Sequence, residues 1–88
     1  MGATVNAVFK RVFTLIGEDS QTVSCNILDD NNVVVANKQL TKMFSGGYLF
    51  SHVFPMEGLF IIEVSDSKNK KFRASVIVSK HFLDEILL

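Results

Sequence analysis

The residue types that most often bind metals or carry acid–base and nucleophilic chemistry are scarce in this sequence. It holds two histidines and one cysteine among 88 residues. His52 falls in a run of alternating aromatic residues, whereas His81 lies in a different part of the chain. Cys25 alternates with Val23 and Ile27, which predicts a small buried side chain. Because a protein metal site needs three or four converging ligands, we expect no metal and no cofactor.

Two clusters of small and polar residues lack the spacing that ligand binding would require. The run Asp29–Asn32 has neither the alternating ligands nor the distal glutamate of a calcium loop, so it predicts a turn. Ser45–Gly47 is followed by neither a lysine nor a helix, as a phosphate-binding loop would be. There is no Gly-x-Ser-x-Gly motif, and nothing in the pattern brings two carboxylates face to face for acid–base work. We therefore expect a protein that is not an enzyme.

The balance of charge argues against a nucleic-acid partner. The chain has nine basic and nine acidic residues, which gives a formal net charge of zero at pH 7. A nucleic-acid binder usually carries a basic stripe. The one dense basic stretch, residues 68–73, follows Asp66 in a predicted turn and is typical of a solvated hairpin.

Three features indicate where the protein is made. The first residues lack the charged and apolar segments of a signal peptide. No apolar run is long enough to cross a bilayer. A single cysteine cannot form an intramolecular disulfide, which distinguishes the chain from small disulfide-rich secreted domains. We therefore expect a protein without a membrane partner, not secreted by a signal peptide, that is made or assembled in a cytoplasm.

Alternation of apolar and polar residues is the main structural signal in the chain. The polar and glycine-containing segments between the alternating runs predict turns about every eight to twelve residues. The first run has a mixed pattern, which indicates either a bulge or a strand that changes sheets. With no helical crossovers the sheets should be antiparallel, so six or seven strands predict an all-β sandwich, with a β-barrel as the alternative. The predicted strands cover residues 4–16, 21–28, 33–40, 48–54, 60–65 and 72–79.

Residues 80–88 follow a different pattern from the strands. Their apolar side chains fall at helical spacing, with acidic residues on the other side. Because so short a helix is not stable in isolation, the segment must dock on its own domain or on a partner. We therefore divide the chain into a sandwich domain, residues 1–79, and a docking tail, residues 80–88, that is either a short helix or an apolar extension. The residues predicted to contact a partner there are Phe82, Leu83, Ile86 and Leu87.

Glycine and aromatic residues at the starts of two strands carry a family resemblance. Gly46–Tyr48 opens one predicted strand, and Gly58–Asp66 forms the next. These segments resemble those of short immunoglobulin-like and transthyretin-like β-sandwich modules. Over residues 5–79 the chain is similar to the small structural proteins of tailed bacteriophages, whereas the tail from His81 departs from the pattern. The resemblance implies an antiparallel immunoglobulin-like sandwich. It also implies a decoration, neck or tail-associated subunit, present in many copies in the virion, that contacts other structural proteins of the particle.

Two functions are compatible with these observations. The first is a non-enzymatic assembly subunit of a bacteriophage particle, held to its neighbours by pairing of strand edges and by docking of the apolar tail. Such assemblies usually form by symmetric repetition. The alternative is a module that recognises a carbohydrate or a cell-surface protein through aromatic side chains beside turns. Phe44 and Tyr48 would carry that contact, because they flank the turn at Ser45–Gly47.

Overall fold

The computed structural model of the chain describes residues 1–80, and within them every regular element is a β-strand. Alternate side chains of these strands face a common hydrophobic core, as the periodicity of the sequence predicts. The predicted all-β fold class is confirmed. The strands are β1 (Gly2–Thr4), β2 (Val8–Thr14), β3 (Thr22–Leu28), β4 (Val34–Phe44), β5 (Gly47–Val53), β6 (Gly58–Ser65) and β7 (Lys71–Ser79).

The strands form one continuous hydrogen-bonded order, β1-β7-β6-β3-β4-β5-β2, that folds into two facing layers at β4. The residues from Val34 to Thr41 pair with β3, and those from Thr41 to Phe44 pair with β5. Each of these two ladders contains an irregularity in register, and bulges of this kind bend a strand and increase its twist. The larger layer is therefore β1, β7, β6, β3 and β4, and the smaller layer is the end of β4 with β5 and β2.

The first predicted run changes from the larger to the smaller layer, which was one of its two predicted alternatives, and it differs from the prediction in two other respects. The run over residues 4–16 is divided into β1 and β2 by a turn in which Asn6 adopts a positive φ of 61°. Asparagine tolerates this left-handed conformation better than most residues. β1 then pairs in parallel with β7, with Gly2 opposite Ile77, whereas the other ladders are antiparallel as predicted.

Aromatic rings from the smaller layer pack against mainly aliphatic side chains of the larger one. Phe50 is fully buried and meets Phe9 and Phe13 edge to face, with ring centroids 6.0 and 5.9 Å apart. Edge-to-face contacts at such distances are favourable for aromatic pairs. Cys25 is buried as predicted, and this burial raises the pKa of its thiol to about 11. The larger layer contributes to the core Val23, Cys25, Ile27, Leu40, Phe60, Ile62, Val64, Val76 and Val78.

The last strand, β7, ends at Ser79. The division into a sandwich domain, residues 1–79, and a tail, residues 80–88, stays a prediction. The buried core described here extends from Phe9 to Val78. Residues 81–88 lie outside the described residues, so the docking of this segment stays a prediction. The four contact residues predicted within it are Phe82, Leu83, Ile86 and Leu87.

Candidate functional site

The two aromatic residues predicted to contact a partner beside a turn have different environments. Phe44 is 58% exposed at the end of β4. Its ring lies over Gly47, so close that a methyl group at that position would displace the ring. Tyr48 is 0% exposed, and its hydroxyl donates a hydrogen bond of 2.6 Å to the carbonyl oxygen of Ser20. Phe44 and Tyr48 therefore do not form a joint aromatic surface on which a sugar ring could stack.

Glu18 joins two loops at the same end of the sandwich. Its carboxylate accepts hydrogen bonds from the backbone N–H of Ser67 at 2.8 Å and of Ser20 at 3.2 Å. These bonds, with that from Ser67 the strongest, lower the pKa of Glu18 from 4.5 to about 2. Hydrogen bonds donated to a carboxylate favour its charged form. The sequence carries no signal for this contact, because Glu18 and Ser67 lie 49 residues apart in the chain.

His52 packs as an aromatic side chain at the side of the core. Its ring meets that of Phe54 nearly at right angles, with centroids 4.7 Å apart. Partial burial, assisted by the charge of Lys38, lowers the pKa of His52. Within residues 1–80, no three histidine, cysteine or acidic side chains come together as they would around a metal ion.

An apolar surface on the outer side of the larger layer is the clearest candidate for an interaction site. Cross-strand partners point to the same side of a sheet. Leu59 lies opposite Ile77 in the β6–β7 ladder. Leu28 of β3 lies opposite Ile61 of β6 on one flank and Val34 of β4 on the other. Leu28, Leu59, Ile61 and Ile77 alternate with core residues on their own strands, so they face away from the core. Val34 joins them because the register shift in the β3–β4 ladder pairs it with Leu28. We call this surface, formed by Leu28, Val34, Leu59, Ile61 and Ile77, the apolar face.

The register makes the apolar face continuous, and its residues differ in exposure. Ile77 is 61% exposed, and Val34 and Leu59 are exposed to a lesser degree. Leu28 is only 5% exposed although it is not a member of the core cluster. Its two cross-strand neighbours are apolar members of the same face, Ile61 and Val34. Contiguous apolar surface of this kind, unlike single exposed residues, marks interaction sites on proteins.

A polar row borders the apolar face on the same side of the larger layer. Arg73 pairs with Glu63, with its Nε and Nη2 atoms each 2.8 Å from the same carboxylate oxygen. Asn37 donates a hydrogen bond of 3.1 Å to the side chain of Asn26. The register places these four residues side by side across β7, β6, β3 and β4. An apolar centre with a polar rim is typical of protein–protein interfaces.

The outer side of the smaller layer is less continuous. Val8 lies opposite Val53, and Val12 lies opposite Leu49. These apolar pairs are separated by a pair that contains Lys10. A charged side chain between them breaks the apolar surface, so this side is a weaker candidate for a docking site.

The side of the sandwich between β4 and β5 exposes a strand edge. The two strands are paired only near their shared turn, so no described strand covers β4 on that side from Val34 to Leu40. Lys38 has the same parity as Leu40 and therefore points toward this opening. Inward-pointing charges of this kind protect sheet edges from pairing with other chains. A cavity of about 250 Å³ lies in the opening, and its lining includes Val35, Ala36, Val53, Phe54, Met56 and Phe60.

Comparison with known proteins identifies the fold. A chain from the crystal structure of the ZIG-8–RIG-5 IG1–IG1 heterodimer superposes with a TM-score of 0.52, over 90% of this chain and 80% of that chain. The fold is immunoglobulin-like. The protein described here shares only 9% sequence identity with that chain, so the likeness concerns the fold alone. No protein-family model matches the sequence, and no curated protein matches it.

The immunoglobulin-like assignment confirms the predicted sandwich and decides against a closed barrel. Immunoglobulin-like folds are typically non-enzymatic, although function is a property of sites and not of folds. No helix within residues 1–80 is long and apolar enough to span a membrane.

Proposed function

We propose that this chain is a non-enzymatic assembly subunit that binds protein partners through the apolar face. The observation that carries the proposal is the continuity of this surface across four strands, with the almost fully shielded Leu28 at its centre. Burial of apolar area is the main favourable term in association. The absence of net charge supports the proposal further, because copies of the chain do not strongly repel one another or a neutral partner.

We propose further that the assembly is a bacteriophage particle, formed in the host cytoplasm, in which the chain is present in many copies beside other structural proteins. The support for this step is a resemblance alone: Gly46–Tyr48 and Gly58–Asp66 resemble segments of short sandwich modules, and a chain made of one such module is similar to small phage structural proteins. The similar chain named above takes part in a heterodimer of two IG1 domains, which supports a protein partner for a domain of this fold.

Two further contacts belong to the proposed assembly. The free edge of β4 can accept a strand from a neighbour once Lys38 moves out of the opening, because the backbone groups on that side from Val34 to Leu40 face no described strand. The second contact is the docking of residues 81–88.

Recognition of a carbohydrate is less well supported, because Tyr48 is buried and Phe44 would have to act alone.

Site-specific photo-crosslinking tests the proposal. A photoreactive phenylalanine analogue replaces Leu59 on the apolar face or, as a matched control, Val12 on the smaller layer, in a chain co-expressed with the genes adjacent to its own. Both positions are exposed to the same 44%. We expect position 59 to capture another structural protein or a second copy, and position 12 to capture neither. Equal capture from both positions, or none from position 59 in assembled particles, would contradict the proposal.

A further inference from the structure

We propose that in the isolated chain residues 81–88 dock across the apolar face of their own domain. This inference rests on the proposed function only in taking the apolar face as a docking surface. Residues 81–88 are the proposed occupant of that face before a partner binds.

The position where β7 ends brings this segment to the apolar face. Ile77 on the face lies two residues before Ser79, the last residue of β7, and only Lys80 separates the strand from the segment. A connection this short gives an effective concentration on the order of millimolar or above at the nearest surface, which favours the chain's own face over that of a neighbour. The exposed valines of the smaller layer are less accessible to the segment, because they lie on the opposite side of the sandwich.

The dimensions of the segment and of the apolar face agree. Eight residues in a helix are about 12 Å long. The apolar face extends from Ile77 on β7, across β6 and β3, to Val34 on β4, which is three interstrand spacings or about 14 Å. A two-turn helix laid across the strands therefore covers the face from one side to the other.

The residue pattern of the segment fits a helix packed on a sheet. Phe82, Leu83 and Ile86, with Leu87, form one stripe at helical spacing. Asp84 and Glu85 fall on the other side, where they would meet water. Such a helix is too short to be stable alone, and the apolar face provides the surface that it lacks.

Docking in this position would regulate the proposed assembly. A partner and the segment cannot occupy the apolar face together, so the segment must leave its own face when a partner binds. Exchange of the same segment between neighbouring copies would preserve its contacts, as in domain swapping.

Tryptophan fluorescence tests the inference in the full chain. The sequence has no tryptophan, so Leu87→Trp introduces a single reporter within the segment. We expect emission that is blue-shifted relative to the same chain in denaturant and unchanged on dilution through the micromolar range. Phe82→Trp repeats the measurement from the other end of the segment, in case position 87 does not tolerate the larger ring.

A second substitution locates the docking surface. In the Leu87→Trp background, Ile77→Asp should shift the emission to the red, because it places a charge on the apolar face. The matched change Val12→Asp, at another exposed strand position on the smaller layer, should leave the emission unchanged.

Three outcomes would overturn the inference. An emission maximum equal to that of the denatured chain would show that the segment is not docked. A blue shift that is lost on dilution would show that the segment docks on a neighbouring copy. A blue shift insensitive to Ile77→Asp shows docking elsewhere. The proposed function can fail while this inference holds. In that case cross-linking from position 59 finds no partner in assembled particles, but the tryptophan emission shows the expected blue shift.

Discussion

At the scale of single residues, the two buried carboxylates of the described chain both have structural roles. Glu63 lies on the outer side of the larger layer and pairs with Arg73 across the β6–β7 ladder. Glu18 holds the β2–β3 loop to the turn that contains Ser67. Each carboxylate has hydrogen-bond donors that compensate for the loss of water. Both carboxylates therefore join segments that are distant in the chain.

The first prediction concerns the pH dependence that Glu18 confers on stability. Its pKa is lowered from 4.5 to about 2 on folding, so the folded state binds fewer protons than the unfolded state in that window. The stability contributed by Glu18 is therefore complete above pH 4.5 and is lost as the pH falls toward 2. We expect Glu18→Gln to lower the free energy of unfolding at pH 7 and to flatten its decline in acid. Urea denaturation at a series of pH values measures both effects.

Glu57→Gln is the matched control for this prediction. Glu57 is exposed near the start of β6, at the opposite end of the sandwich from Glu18. Its substitution should leave the wild-type pH profile unchanged. Identical profiles for the Glu18 and Glu57 variants would contradict the role assigned to the Glu18 hydrogen bonds.

At the scale of elements, β4 determines how the sandwich closes and where it stays open. Its last residues join the smaller layer, and its first residues join the larger one. This division leaves one flank of the strand free from Val34 to Leu40. Free strand edges pair readily with other chains unless something blocks them. Lys38, directed into the opening between the layers, is the group that blocks this edge.

We therefore predict that Lys38→Val increases self-association. The change removes the only charge from the free part of β4 and extends the apolar lining of the opening, which favours edge-to-edge pairing. Sedimentation velocity and light scattering at matched concentrations measure the effect. Lys68→Val, at the exposed turn between β6 and β7, is the control and should behave as the wild type. No increase for the Lys38 variant over this control would show that the edge is protected in another way.

At the scale of the whole molecule, a small core has to hold both layers together. The total stability of small domains is about 5–15 kcal/mol, and chains of this size fall toward the lower end. Phe50 is fully buried between the layers and contacts two other rings of the smaller layer edge to face. Its contacts therefore represent a large fraction of what keeps the sandwich folded.

We predict that Phe50→Ala lowers the free energy of unfolding by about 3–5 kcal/mol, the usual cost of the cavity that such a change leaves. Phe44→Ala is the control, because the Phe44 side chain is largely exposed, and surface changes usually cost within about 0.5 kcal/mol. Chemical denaturation followed by circular dichroism measures both variants. A small loss for Phe50→Ala, or similar losses for the two, would contradict the packing described for the core.

The sequence by itself determined the structural features that depend on residues close to one another in the chain. Period-two alternation predicted the strands from β3 to β7 and the position of Cys25 in the hydrophobic core. The run Asp29–Asn32 forms the predicted turn, in which the Asp29 carboxylate accepts hydrogen bonds from two backbone N–H groups and Asn32 adopts a positive φ of 62°. These features follow from side-chain periodicity and local hydrogen bonding, which can be evaluated along the chain.

Only the tertiary structure decided the features that join distant segments. The parallel pairing of β1 with β7, the contact of Glu18 with Ser67 and the sharing of β4 between layers have no local signal. The apolar face is of the same kind: its five residues lie on four strands, and each by itself is an ordinary apolar residue of an alternating run. The register between strands brings them together, and a shift of one residue would move a strand's outward side chains to its other face. Register depends on packing across the whole sandwich, which is why the candidate site emerged only from the folded chain.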